Sequence, residues 1–295
     1  MIFLTGGTGF VGSYIVSHLV DSGFDVKILT RAQNLSSPLF NHPKIEIVTG
    51  DILDKSILEK SIQGCKVILN CVGIILETKK QTFQKMHVDA VKNLVDAAKS
   101  CKSIEKIIQI SALGTSQKPS SKYFRTKYEG EELIRSSGIK YTIFRPSLIF
   151  GKGDKFFPVL KNLVKLPITP VIGQGKNRFQ PVYVQDLAKC VSASLTEKET
   201  DNKILEIGGP EDYSFINILE IVGEVLNKKC FRIHIPVTVV KAFAMIFEIF
   251  LSNPPVTKDQ LKMLKVDNIT SENAGKELFK LDLMDLKTGL ASYLK

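Results

Sequence analysis

The first half of the chain alternates short apolar runs with stretches of helical periodicity. Runs rich in β-branched residues predict buried strands at 1–5, 25–30, 44–50, 65–73, 104–111 and 139–146. Apolar residues at three- and four-residue spacing predict helices at 10–23, 83–101 and 120–137. Strands that alternate with helices form right-handed βαβ units, so the pattern predicts an α/β fold with a Rossmann-type, doubly wound parallel sheet.

A glycine-rich turn lies between the first strand and the first helix, in "FLTGGTGFVGSYIV". Gly6 permits a tight turn, Gly9 lets the backbone approach a pyrophosphate, and Gly12 lets helix and strand pack closely. The helix N-terminus then faces the phosphates. We therefore predict a dinucleotide site rather than a plain strand–helix turn, made by the residues Thr5, Gly6, Gly9, Phe10, Val11 and Gly12.

The second strand ends in "KILTRAQN", without the carboxylate that would bind the ribose 2′-hydroxyl of NAD. The guanidinium of Arg31 can hold a 2′-phosphate instead, which favours NADP(H) over NAD(H). The alternative for Arg31 is a solvated loop charge. Further along, Asp51 and Ile52 follow the third strand, where we expect them at the adenine. Cys71, Val72 and Gly73 end the fourth strand and are predicted to pass beneath the cofactor.

After residue 150 the alternation breaks, and glycine, proline and charged residues become more frequent. A helix is predicted at 182–195 and a strand at 203–210, before a mainly helical remainder. We predict a nucleotide-binding core at 1–150, to which 182–210 return. Residues 151–181 and 211–295 are then predicted to form a smaller lobe for a substrate or partner.

Tyr123 and Lys127, in "SSKYFRTKYEGEEL", are four residues apart and share one face of a predicted helix. Such a pair can transfer protons, or it can be two ordinary side chains on an exposed helix. The pair alone does not decide between these alternatives.

The composition limits the kinds of partner and the cellular compartment that we expect. The chain has 40 Lys and Arg against 30 Asp and Glu, a net charge of +10, but the positive charge is scattered, so we expect no nucleic-acid partner. Five widely spaced cysteines argue against a disulfide framework or a metal site. The N-terminal run has no basic leader and no small-residue cleavage site, so we expect no signal peptide and a cytoplasmic protein.

The run 235–251 is apolar around most of its helical circumference. It predicts either a helix buried in the C-terminal lobe or a contact with a membrane surface or a protein complex, peripheral at the inner face of a membrane.

In their order along the chain, "TGGTGFVG", "GDI", "NCVG", the Tyr-x-x-x-Lys pair, "FRPSLIFGKGD" and "PVYVQDLAKCV" resemble the extended and atypical short-chain dehydrogenases/reductases, which are epimerase/dehydratase-like. The resemblance is closest to the branch that contains the nucleotide-binding accessory subunit of respiratory complex I and its bacterial relatives. It implies that Tyr123 is the general acid/base and that Lys127 binds the nicotinamide ribose and lowers the tyrosine pKa. It also implies that Pro146 and Ser147 line the nicotinamide end.

The chain departs from the family pattern at three places. Ser111 comes one or two residues before the usual catalytic serine, and His87 replaces an asparagine, where it can act as a proton relay or as an ordinary helix histidine. Arg178 lies one residue away from the place of the arginine that binds diphosphates in nucleotide-sugar enzymes. Two functions stay open: an NADP(H)-dependent oxidoreductase acting on a carbonyl-type small molecule, and a structural, assembly or redox-sensing subunit that holds the nucleotide with little turnover.

Overall fold

The computed structural model describes residues 1–116, 119, 121–242 and 257–295 of the chain. Seven strands form one sheet: β1 (Ile2–Thr5), β2 (Val26–Thr30), β3 (Ile45–Thr49), β4 (Val67–Asn70), β5 (Lys106–Ile110), β6 (Lys140–Pro146) and β11 (Lys203–Ile207). Their order across the sheet is β11-β6-β5-β4-β1-β2-β3. Across the sheet, β3 pairs with β2, β2 with β1, β1 with β4, β4 with β5 and β5 with β6, and each of these pairs is parallel. This confirms the predicted Rossmann-type fold.

The strand order places a topological switch point between β1 and β4. β1 pairs with β2 on one side and with β4 on the other, in each case in parallel. In sheets of this kind the connections from the two strands leave in opposite directions, and a crevice opens at their carboxyl ends. The residues that follow Thr5 and Asn70 are therefore at the position where such folds bind ligands.

Helices cover the sheet and bury its apolar side chains. They are α1 (Phe10–Asp21), α2 (Lys55–Ser61), α3 (Ala90–Ser100), α4 (Lys122–Arg135) and α6 (Val184–Ala193). Leu58 of α2 and Leu94 of α3 join Phe3, Ile68 and Ile107 of three adjacent strands in one buried cluster. Both faces of β1 and β5 are buried, as is typical of strands inside a parallel sheet.

Two predicted elements end or begin differently in the structure. The fourth strand was expected over 65–73, but β4 ends at Asn70, whose side-chain oxygen accepts a hydrogen bond from the Val72 amide and turns the chain out of the sheet. The helix expected from residue 83 opens as a π-helical segment, Gln84–Asp89, before α3. A Cβ on Gly130 of α4 would lie 2.3 Å from the carbonyl oxygen of His87, so α4 approaches this segment closely.

The described chain divides into two compact units. The first comprises Met1–Gln117, Tyr123–Arg145 and Leu187–Leu205, and the second consists mainly of Pro146–Asp186 and Glu206–Lys295. The elements of the second unit are β7 (Ile149–Phe150), α5 (Phe156–Val164), β8 (Thr169–Ile172), β9 (Arg178–Phe179), β10 (Val182–Tyr183), β12 (Tyr213–Ser214), α7 (Phe215–Val225), β13 (Arg232–Ile235), α8 (Lys258–Met263), α9 (Ala274–Glu277) and α10 (Leu286–Ala291). The predicted boundaries at residues 150, 182 and 210 stay a prediction.

The second unit has its own core. Phe157 of α5, Leu219 of α7 and Leu290 of α10 pack in one buried cluster with Phe150 and Val171. Of the apolar run 235–251, residues 243–251 lie outside the described residues. Within the part of the chain that is described, no helix is both long and apolar enough to cross a membrane.

Candidate functional site

The glycine turn after β1 is closely packed. Gly6 has a φ of +76°, which favours glycine, and a Cβ there would lie 2.8 Å from the carbonyl carbon of Cys71. A Cβ on Gly12 would lie 2.1 Å from the Gly6 carbonyl oxygen. Gly9 is the N-cap residue of α1 and has no side chain that could accept hydrogen bonds from the first-turn amides. Phe10 and Val11 begin the helix. The positive end of α1 therefore faces a cradle that side chains would fill, and this suits a phosphate group.

A chain of buried hydrogen bonds connects the carboxyl ends of three strands. The Thr5 hydroxyl donates to Asn70 Oδ1 at 2.7 Å, and Asn70 Nδ2 donates to Gln109 Oε1 at 2.9 Å. Gln109 Nε2 in turn donates to the Ile110 carbonyl at 3.0 Å. Thr5 and Asn70 are fully buried and Gln109 nearly so. Since each of these three side chains has a partner, this series of hydrogen bonds fixes the ends of β1, β4 and β5 relative to one another.

A cleft of about 230 Å³ opens beside the turn. It brings together six of the residues that the sequence predicted for the cofactor: Thr5, Gly6, Arg31, Asp51, Ile52 and Val72. Six further residues line the cleft that were not predicted for it: Thr8, Leu29, Thr30, Ala32, Gly50 and Met86. The carboxyl ends of β1, β2, β3 and β4 meet here, so the cleft follows from the strand order.

Arg31 lies exposed at the rim of this cleft. With the Gln81 amide turned to suit its neighbours, its oxygen accepts hydrogen bonds from both terminal nitrogens of Arg31, at 2.8 and 2.9 Å. Gln81 therefore holds the guanidinium at the cleft. Asp51 behaves differently: its carboxylate accepts a hydrogen bond from the Leu53 amide at 2.9 Å and orders the loop after β3. Ile52, next to it, is 6% exposed and belongs to the core as much as to the cleft.

Lys127 is the buried cation of the site, with 7% of its surface exposed. Its Nζ donates to the Ile110 carbonyl at 3.0 Å, so it lies at the end of β5 and continues the hydrogen-bond chain from Thr5. A Cβ on Gly73 would be 3.0 Å from this nitrogen, so glycine leaves the amine accessible from the loop after β4. Burial lowers the pKa of Lys127 to about 8, against the opposing charge of the Glu131 carboxylate.

Tyr123 lies one turn before Lys127 on α4 and is half-buried among rings. Its ring meets Phe83, His87 and Phe124 edge-on, with centroids 5.7, 5.4 and 5.4 Å away. Burial raises the pKa of Tyr123 to about 12. The resemblance implies a tyrosine pKa lowered by Lys127, but in this structure desolvation dominates and the phenol is protonated at neutral pH.

His87 is engaged at both ring nitrogens. Its Nε2 accepts a hydrogen bond from the Ile74 amide at 3.2 Å, which requires the proton to be on Nδ1. Nδ1 then donates to the Thr126 hydroxyl, 3.0 Å away. The residue is 2% exposed, and burial lowers its pKa to about 2. This neutral imidazole fixes the loop after β4 against α4, an arrangement that favours positioning over proton relay.

Ser111, a further catalytic candidate, has a buried carboxylate as its partner. Its hydroxyl donates to the carboxylate of Glu131, which is 1% exposed, and Arg145 binds the same carboxylate through Nε at 3.1 Å and a terminal nitrogen at 2.6 Å. The three residues form a buried network inside the first unit. Glu131 was not predicted from the sequence, although its place four residues after Lys127 puts it on the same helical face.

Other predicted residues have partners of their own. Burial raises the pKa of the Cys71 thiol beside the Gly6 turn. In the second unit, Pro146 ends β6 and the Ser147 hydroxyl contacts both the carbonyl and the side-chain oxygen of Asn268 at 2.7 Å. Arg178 forms an ion pair with Asp212. The structure thus gives Ser147 and Arg178 protein partners within their own unit.

The chain is similar to several proteins of known name. It is 28% identical to "NADH dehydrogenase [ubiquinone] 1 alpha subcomplex subunit 9, mitochondrial" of Mus musculus, over 90% of this chain and 71% of that protein. It is 24% identical to "Ceramide reductase" of Caulobacter vibrioides, over 80% of this chain and 74% of that protein.

Solved structures share the fold at lower identity. The dTDP-glucose 4,6-dehydratase of Streptomyces venezuelae, solved with NAD, superposes with a TM-score of 0.78 and 19% identity, covering 99% of this chain and 95% of that one. The dTDP-glucose 4,6-dehydratase of Bacillus anthracis, in complex with NAD, gives 0.76 and 19%, covering 99% and 94%.

The family comparison covers nearly the whole chain. The model of the NmrA-like family matches residues 1–287. Together with the dehydratase folds and the complex I subunit among the relatives, this match confirms the resemblance predicted from the motifs. The chain belongs to the NmrA-like family.

Proposed function

We propose that the protein is an NADP(H)-binding oxidoreductase that reduces or forms a carbonyl group on a small molecule. The observation that carries the proposal is Lys127: a buried amine, bonded to the Ile110 carbonyl at the end of β5, one helical turn from Tyr123 and facing a glycine in the loop after β4. A buried cation that contacts no carboxylate among the described residues and lies beside Gly73 suits the hydroxyls of a nicotinamide ribose.

The residues present fit a dinucleotide. The cradle at Gly6 and Gly12, the positive end of α1 and the cleft with Arg31 suit the phosphates and the adenosine end. When bound, the nicotinamide would supply or accept a hydride. Lys127 would hold its ribose, and the protonated Tyr123 phenol would donate a proton to a carbonyl oxygen. A tyrosine with a raised pKa is protonated at neutral pH, which is the form that can donate a proton.

We propose NADP(H) over NAD(H) because of Arg31, which Gln81 holds at the rim of the cleft. A guanidinium there suits a 2′-phosphate through charge-assisted hydrogen bonds. Arg31→Ala is expected to weaken NADPH binding about tenfold or more relative to NADH. Arg125→Ala, an exposed arginine on α4, is the matched control. Equal losses for both nucleotides in Arg31→Ala would remove the preference for NADP(H).

The test of turnover starts with the purified protein. Its bound nucleotide is extracted and identified by mass, and oxidation of NADPH is then followed with a panel of aldehydes, ketones and long-chain carbonyl lipids. Tyr123→Phe should lower the rate about 100-fold or more. Tyr128→Phe, the next tyrosine on the same helix, should change it little. Equal rates in the Tyr123→Phe protein and the parent would take Tyr123 out of the mechanism.

A second function is favoured by Ser111. Its hydroxyl is bonded to Glu131 within a buried network, which supports a structural role for this serine. We therefore keep, as the alternative, a nucleotide-holding structural, assembly or redox-sensing subunit, as the complex I relative suggests. That protein would show a nucleotide-dependent rise in Tm but no oxidation of NADPH with any carbonyl. Association with a protein complex or a membrane belongs to the same proposal.

A further inference from the structure

The second unit contains a two-stranded parallel sheet with an unusual outer face. β8 and β13 pair in parallel, with Pro170 beside Ile233 and Ile172 beside Ile235. Thr169 and Val171 of β8 are fully buried, and Val171 belongs to the core of this unit. Since side chains alternate along a strand, the neighbouring positions point to the opposite face.

That opposite face is entirely apolar. It consists of Ile168, Pro170, Ile172, Phe231, Ile233 and Ile235, and we call it the apolar sheet face. Ile168 is 55% exposed, Phe231 66% and Ile233 53%. Parallel strands are ordinarily covered on both faces, and contiguous apolar side chains of this size on a surface mark an interaction site.

The segments next to the two strands are rich in basic side chains, one of which, Arg232, forms an ion pair with Glu220 of α7. Residues 161–176 and 228–242 contain seven basic side chains and no Asp or Glu: Lys161, Lys165, Lys176, Lys228, Lys229, Arg232 and Lys241. Lys165, Lys228 and Lys229, close in sequence to the two strands, are exposed. A second copy of this chain would bring the same basic segments against each other, which like-charge repulsion opposes. An apolar surface with a basic surround instead complements a lipid bilayer that contains anionic headgroups.

We propose that the apolar sheet face docks the protein on an anionic lipid membrane, with Phe231, Ile233 and Ile168 entering the headgroup region and the nearby lysines meeting acidic headgroups. The proposal is independent of cofactor and turnover. A protein held there would have its second unit at the bilayer surface, where apolar molecules are concentrated.

The experiment is co-sedimentation of the full chain with vesicles of phosphatidylcholine alone and of phosphatidylcholine mixed with phosphatidylglycerol. We expect binding to the mixed vesicles that falls steeply with salt, and much weaker binding to phosphatidylcholine alone. The double variant Phe231→Thr, Ile233→Thr should bind about tenfold or more weakly. Val159→Thr, which removes a valine that is 54% exposed on α5, is the matched control and should bind like the parent.

A charge variant separates the two parts of the surface. Lys228→Glu, Lys229→Glu should lose affinity for anionic vesicles about tenfold or more while keeping the parent's weak binding to phosphatidylcholine. Thermal unfolding of each variant checks its fold. The proposal is overturned if the folded parent does not bind the mixed vesicles, or if the double threonine variant binds as the parent does. Self-association through Ile233 without vesicle binding would overturn it as well.

Discussion

The hydroxyl of Ser111, at the end of β5, donates a hydrogen bond to the buried carboxylate of Glu131 on α4. Arg145 of β6 binds that carboxylate through two hydrogen bonds, so three neighbouring elements meet at one charged group. A serine held in this way orders the scaffold behind Lys127. The Ser111 hydroxyl therefore has a protein partner inside the first unit.

Replacement of Glu131 with Gln should destabilise the protein. It leaves the Arg145 guanidinium, whose side chain is 15% exposed, without its negative partner, and loss of one member of a buried ion pair costs about 3 kcal/mol or more. Glu129→Gln is the control, since Glu129 pairs with Arg125 on the exposed side of the same helix and should matter by less than about 0.5 kcal/mol. Urea unfolding measures both. Equal stabilities would show that the network adds nothing.

Replacement of Gly12 with Ala should disturb the turn. The new Cβ would be 2.1 Å from the Gly6 carbonyl oxygen, so helix and turn must separate. We expect the free energy of unfolding to fall by about 1–3 kcal/mol. We also expect weaker binding of a dinucleotide. At Gly9 the nearest atom to a Cβ is 3.3 Å away and φ is −81°, so Gly9→Ala should be tolerated better. Thermal unfolding compares the stabilities of the two; a Gly12→Ala protein as stable as Gly9→Ala would contradict the close packing.

His87 should make the protein sensitive to acid. Its pKa is about 2 in the folded chain and near 6.5 when unfolded, so below pH 6.5 the unfolded chain binds a proton that the folded one does not. Stability is therefore lost as the pH falls, by about 2 kcal/mol from this group at pH 5. His87→Gln, which keeps an acceptor for the Ile74 amide, should flatten the slope between about pH 6.5 and 5. An unchanged slope in urea unfolding would mean that His87 titrates normally.

Lys127 should carry a stability cost that serves binding. Its pKa is about 8 when folded and about 10.4 when unfolded, so the folded state disfavours the charge at neutral pH. Lys127→Met should raise the free energy of unfolding at pH 7 by about 1–3 kcal/mol, and the difference should shrink as the pH rises through 8 towards 10. The same variant should lose the rise in Tm that NADPH gives the parent. A variant less stable than the parent at pH 7 would show that the amine is structural.

The sequence predicted the parallel sheet and the cleft because both depend on local patterns. Alternating apolar runs determine the βαβ units, and the glycine spacing determines the turn, so Gly6, Arg31 and Asp51 come together as expected. The predicted end of β4 at residue 73 was wrong because Asn70 turns the chain through a side-chain hydrogen bond. Glu131 and Gln81 were missed because their partners, Arg145 and Arg31, are distant in sequence. The outer face of β8 and β13 was missed because the register of two short strands brings its residues together.

The series of hydrogen bonds from Thr5 through Asn70 and Gln109 has a consequence for the entropy of binding. It fastens the ends of three strands with fully satisfied side chains, so these strand ends are ordered before any nucleotide arrives. Association then loses little conformational entropy at these strand ends. We expect the amides of β1, β4 and β5 to exchange hydrogen slowly in the apo protein, with the added order on binding confined to the rim around Arg31.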